Sequence, residues 1–281
     1  YKSIFNLPEN YNFKDKKFIF FITCLLLFAT MLSIQFNPIV AAIFLFSYSA
    51  LEKKNYFLAI LLISISGLTK VYGIIQFSML LFYPKFWRNT IYILTTMILL
   101  FALPLIRYNL MELLSLLESW KEAIYLHSTR QGNFYSIYRP FFQFDDVIGK
   151  YVTLISAIVF LLLIGVLIIK LKEFKSSFSK RAQYLGVLMS WAILFSVGSE
   201  LHTYVIAMVG YAIWYINSST SKVDCILLWT NFFLLAVFPI DIIVPTFISK
   251  VVLGDLHLGI IVFSVTWFLM VYKTFFYVNK K

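Results

Sequence analysis

The chain has 281 residues, of which 61% are hydrophobic, 19% aromatic and only 13% charged, with a formal net charge of +11. Soluble domains carry about a quarter charged residues, so the polar surface here is too small to cover a soluble core, which excludes soluble enzymes, disordered tails and disulfide scaffolds. Ten glycines argue against closely packed small-residue helices, and Cys24 and Cys225, both set in apolar runs, read as small buried hydrophobes.

The first apolar run follows a polar stretch ending in Lys14, Lys16 and Lys17 and the chain opens on Tyr1, so no signal peptide is read. Apolar runs separated by short polar punctuation then continue to the end. Runs of this length cannot alternate inward and outward as strands do, so each is read as a helix. In chain order they cover Phe18–Ile34, Pro38–Leu51, Tyr56–Leu68, Val71–Tyr83, Asn89–Ile106, Tyr151–Ile169, Ala182–Val197, Thr203–Ile216, Cys225–Ile240 and Leu258–Val278. The fold class expected is all-α: a polytopic integral membrane protein with about ten transmembrane or half-membrane helices in a single domain, 1–281. Residues 107–150 form its one long external connection.

The charges sort along this alternation. With the N-terminus inside, the inner connections hold sixteen of the 24 lysines and arginines, among them Lys53, Lys54, Lys85, Arg88, Lys170, Lys172 and Lys175, while the outer ones hold seven. Eight of the 13 acidic residues fall outside. That is the expected bias of cytoplasmic loops, and it removes the only support for a nucleic-acid partner. The reading is a multi-pass protein of a bacterial inner membrane with both ends of this chain cytoplasmic.

Several runs are short for a span. Pro38–Leu51 and Thr203–Ile216 would extend roughly 21 Å as α-helices against a hydrocarbon core of about 30 Å. Their outer ends must therefore stop below the membrane surface, where polar groups are tolerated only around a protein-walled wet cavity. Three such tips face the same way: Gln35-Phe36-Asn37-Pro38, Gly67-Leu68-Thr69-Lys70 and Ser199-Glu200-Leu201-His202. They suggest one outward-facing cleft. In the long connection, Tyr108–Leu126 places Leu110, Leu113, Leu114, Leu117, Ala123 and Ile124 at helical intervals and reads as an amphipathic interfacial helix. The aromatic, turn-rich stretch HSTRQGNFYSIYRPFFQF that follows reads as a lid.

No Walker loop, dinucleotide fingerprint, nucleophile elbow or zinc spacing occurs, so neither a cofactor nor a metal is expected. Ionisable groups at membrane depth are the remaining candidates. Lys70 suits a lipid phosphate as a point charge in low dielectric, or else it snorkels from a helix end. His202 can donate to a departing phosphate oxygen and Glu200 can position a sugar, or the two form a structural pair or helix cap. Gln35 and Asn37 can bind sugar hydroxyls, although Asn37-Pro38 is also an ordinary helix start. His127, Arg130, Tyr138 and Arg139 offer phosphate ligands and a stacking face, or an interfacial belt.

The segment SIQFNPIVAAIFLFSYSALEKKNYFLAILLISISGLTKVYGIIQFSMLLFYPKFWRN, together with GNFYSIYRPFF and VGSELHTYVIAMVGYAIWY, resembles the polyprenol-phosphate-dependent glycosyltransferases of family eighty-seven in the C-type superfamily. Gln35, Asn37 and Lys70 match a Gln-x-Asn turn and a later lysine of that family, and His202 its later tip. The resemblance covers roughly Ser33 to Tyr215. It implies transfer of a mannose- or pentose-like sugar from a polyprenyl-phosphate carrier to a glycan or glycolipid acceptor on the outer face of the membrane. It further implies Lys70, His202, Arg130 and Arg139 as donor-phosphate ligands, and Gln35, Asn37, Glu200, His127 and Tyr138 on the sugar or acceptor side. The catalytic base is expected in an earlier external loop, N-terminal to this chain, which reads as the C-terminal part of such an enzyme. A lipid-linked polysaccharide polymerase or ligase, and a lipid or solute transporter, are the alternatives.

Overall fold

The computed structural model describes residues 2–127, 146–196, 199–240 and 243–277. The fold is all-α, without a strand among the described residues. After a short α1 (Lys2–Phe5) come α2 (Phe13–Leu32), α3 (Asn37–Glu52), α4 (Tyr56–Thr69), a 3-10 segment (Val71–Phe82) and α5 (Phe86–Ala102). Then follow α6 (Leu110–His127), α7 (Asp146–Ile169), α8 (Leu171–Ser176), α9 (Phe178–Leu194) and α10 (Tyr204–Asn217). The chain closes with α11 (Lys222–Phe232, continued by a π turn to Val237), α12 (Thr246–Ser249) and α13 (Leu258–Phe275). Each apolar run read from the sequence is helical over most of its length. Two stretches, Phe86–Ile106 and Leu258–Phe275, are long and apolar enough to cross a membrane by length and composition.

The helix starts follow from short polar side chains that accept backbone N–H groups left open in the first turn. Asn12 and Asp15 exchange two 3.0 Å bonds that cap α2 reciprocally, and Asn109 and Glu112 do the same for α6 at 2.9 Å each. Ser221 and Asp224 cap α11 in the same way, and Asn55 Oδ1 accepts from Leu58 N at the start of α4.

Helices α9 and α10 form the centre. Every residue from Ala182 to Leu194 and from Tyr204 to Trp214 is buried. The two run antiparallel, and their backbones meet at two glycines. A Cβ at Gly186 would lie 2.5 Å from Gly210 O, and one at Gly210 would lie 2.9 Å from Gly186 O. The low glycine content pointed away from such packing; two glycines placed opposite each other are enough to produce it locally. Around this pair stand α2, α3, the 3-10 segment and α13. Trp267 Nε1 donates to Val187 O at 3.1 Å and Trp214 Nε1 to Thr274 Oγ1 at 2.9 Å, tying α13 to both central helices.

Cross-helix contacts also fix direction. Gly67 packs on Met97 and Ser64 Oγ donates to Ile93 O, so α4 and α5 run parallel with their starts level. The lysine-rich turns before α4, α5 and α9 therefore share one end of the bundle, and the polar tips share the other. At the lysine-rich end Arg181 donates to both Glu52 oxygens, from Nε at 2.7 Å and Nη2 at 2.8 Å, while Tyr83 OH donates to Glu52 Oε1 at 2.7 Å. Lys273 pairs with the buried Asp224 at the same end. Helices α5 and α7 flank the bundle and leave large apolar side chains such as Ile98, Leu99, Leu161 and Ile169 exposed. Cys225 is exposed rather than buried, because the first turn of α11 lies at the rim.

Candidate polar site at the tips of α2, α4 and α10

The end of α2 is shaped by its backbone. Ile34 N donates to Met31 O at 3.1 Å and Gln35 N to Thr30 O at 3.2 Å, the paired bonds of a Schellman cap. That cap requires a left-handed residue, and Ile34 takes it at φ 51° although it is β-branched and 91% exposed. Such a backbone costs roughly 1–2 kcal/mol per residue. Its effect is to reverse the chain so that Gln35 returns toward the bundle and α3 begins with Pro38 in its first turn.

Gln35 then meets the loop before α10, 165 residues later. Gln35 Nε2 donates to Glu200 Oε2 at 3.3 Å, and Asn37 Nδ2 donates to Gln35 Oε1 at 2.7 Å. One turn back, Ser33 Oγ stands 3.4 Å from His202 Nε2, and Thr30 Oγ1 donates to His202 O at 3.4 Å. Thr203 holds the loop from within: its Oγ1 accepts from Glu200 N at 3.2 Å. Four of the residues singled out from sequence, Gln35, Asn37, Glu200 and His202, are thus brought into one hydrogen-bonded group. Ser33, Thr30 and Thr203 belong to it as well.

Gln35, Glu200 and His202 are half-buried, whereas Asn37 is 1% exposed and its Oδ1 has no hydrogen-bond partner among the described residues. Ser199 Oγ, also buried, likewise has none among them. The group combines a carboxylate, an imidazole, two amides and hydroxyls at the head of an otherwise apolar bundle. Its chemistry suits a ligand carrying several hydroxyls, since amide and carboxylate oxygens accept O–H donors and amide nitrogens donate back.

Lys70 stands at the tip of α4. It ends α4 in an extended conformation, its own carbonyl accepting from Gly73 N at 2.7 Å. Gly73 is required there, because a Cβ would sit 2.3 Å from Ser66 O. Gln76 clamps the same turn: its Nε2 donates to Ser66 Oγ at 2.9 Å, and its Oε1 accepts a short bond from Ser47 Oγ. Gln76 thereby joins α3, α4 and the 3-10 segment just below the tip of α4. Lys70 is half-buried and makes no ion pair or side-chain hydrogen bond among the described residues.

His127 closes α6, and Arg130, Tyr138 and Arg139 lie outside the described residues. Among the described residues, no group of three or more His, Cys, Asp or Glu side chains is arranged to hold a metal ion. Comparisons with known protein families, curated proteins and solved structures return no significant match.

Proposed function

We propose that this chain is part of a multi-pass glycosyltransferase of a bacterial inner membrane, moving a mannose- or pentose-like sugar from a polyprenyl-phosphate donor to an acceptor on the outer face. The observation that carries the reading is the bond of Gln35 to Glu200 across 165 residues, with Asn37 donating to Gln35 behind it, at the end of the bundle opposite the lysine-rich turns. Polar groups of that kind are otherwise costly inside a bilayer. The apolar side chains exposed on α5 and α7 fit a lipid surround, and the division of charge between the two ends fits an inside and an outside.

Within this reading the ten helical segments cross the membrane or enter it part way. Gln35, Asn37 and Glu200 hold the sugar hydroxyls, His202 lies beside the departing phosphate monoester, and Lys70, at the tip of α4, neutralises the charge that develops there. An inverting displacement also requires a base for the acceptor hydroxyl, and this reading places that base in an earlier segment of the full protein. The test is transfer of labelled sugar from a synthetic polyprenyl-phosphate donor by the full-length protein in proteoliposomes. Lys70→Ala and His202→Ala should each lose at least tenfold in rate, and Gln35→Ala should weaken donor binding. Wild-type rates in Lys70→Ala and His202→Ala would overturn the assignment, and flux of the lipid without transfer would replace the enzyme with a transporter.

A further inference from the structure

At the lysine-rich end, the turns before α4 and α5 form one corner. Tyr56 and Tyr83 stack edge-on across it with ring centroids 6.4 Å apart, and the parallel, level packing of α4 and α5 keeps the two turns side by side. The corner carries Lys53, Lys54, Lys85 and Arg88, all exposed and none in an ion pair among the described residues. The carboxylate next to them, Glu52, is already engaged by Arg181 and Tyr83. Two large aromatic side chains frame the cations, Phe57 at 80% and Trp87 at 76% exposure.

We propose that this corner binds the headgroup of an anionic phospholipid in the cytoplasmic leaflet. Charge complementarity sets the sign of the ligand: four unpaired cations face outward while the local acid is withdrawn from them. The aromatics set its class. A soluble polyanion gains nothing from exposed Phe57 and Trp87, whereas a headgroup region solvates an indole at the level where it binds ammonium and guanidinium groups. Arg88 also lies 5.9 Å from the Tyr92 ring, which holds its guanidinium against the first turn of α5. The inference rests on the membrane part of the reading above and is independent of the transfer chemistry.

The experiment follows thermal unfolding of the full chain in neutral detergent with added phosphatidylglycerol, phosphatidylcholine or inorganic phosphate. Phosphatidylglycerol should raise the Tm above the phosphatidylcholine value. The variant K53Q/K54Q/K85Q/R88Q should lose at least half of that excess, while K2Q/K14Q/K17Q/K222Q, which removes as much charge elsewhere at the same end, should keep it. Equal loss in both variants, or retention in the first, overturns the proposal, as does an equal excess with inorganic phosphate alone. Should the fourfold variant fail to fold, the pairs K53Q/K54Q and K85Q/R88Q are each expected to lose part of the excess. Release of the chain from membranes by alkaline carbonate would instead overturn the membrane reading itself; retention without a lipid-specific excess overturns only the headgroup site.

Discussion

Replacing Gly186 by alanine tests the central contact of the fold directly. The new methyl group would lie 2.5 Å from Gly210 O and 2.7 Å from Trp214 Cβ, against at least about 3.4 Å for an ordinary van der Waals contact. Neither neighbour can rotate aside, since one is backbone and the other a Cβ. Helices α9 and α10 must therefore separate by about 0.9 Å, which loosens the packing along both buried faces. Overpacking of this kind costs about 1–3 kcal/mol, and the helix-forming advantage of alanine over glycine returns up to about 1 kcal/mol. With the dispersion forfeited as the helices part, a net loss near 2 kcal/mol is expected. For a chain of this size that lowers Tm by about 3–4 °C. Gly165 in α7 supplies the control, because nothing lies within 4 Å of the place its Cβ would take: Gly165→Ala should leave Tm unchanged or slightly raised. A Gly186→Ala protein melting at or above wild type, or a Gly165→Ala protein falling as far, would refute the packing argument.

Arg181→Ala leaves the Glu52 carboxylate about nine-tenths buried with only Tyr83 as a donor. Removing one partner of such a pair costs about 3–5 kcal/mol, so the variant should melt well below wild type, and Arg181→Lys, which cannot bridge both oxygens, should fall between them. Asp224 lies at the rim ahead of the apolar run of α11. Burial raises its carboxyl pKa, but hydrogen bonds from Lys273 and Ser221 outweigh burial and leave it below its ordinary value of 3.8. A depressed folded pKa contributes stability above about pH 4 that is lost as pH falls through the folded value. Asp224→Asn should therefore melt below wild type at pH 7, and the gap between the two melting curves should narrow below pH 4; a gap independent of pH would contradict this.

Much of the helix layout was legible because uninterrupted apolar runs and their lysine-rich turns are signals of composition. The meeting of Gln35 and Asn37 with Glu200 and His202 was legible for a related reason: polar residues at the ends of short apolar runs have few places to go. Ser33 and Thr30 escaped notice, since serine and threonine inside a helix usually bond to their own backbone, as Thr30 also does toward Leu26 O. The Gly186–Gly210 contact escaped as well, because its two glycines sit on different helices and leave no spacing pattern along the chain. The turn that follows Lys70 has Gly73 and Gln76 both gripping Ser66, a three-dimensional coincidence that a linear pattern does not encode.

That double grip falls within the 3-10 segment that carries the chain from Lys70 to the turn before α5. Gly73 and Gln76 are three residues apart, and in a 3-10 helix residues at that interval eclipse one another, so both can face Ser66; in an α-helix they would diverge by about 60°. The twelve residues Val71–Phe82 rise about 2.0 Å each and cover about 24 Å, where an α-helix of the same length would cover about 18 Å. Reach per residue is thus a local property of the helix type. A run that counts as a quarter too short at the α-helical pitch is, in this segment, stretched by its own hydrogen bonding.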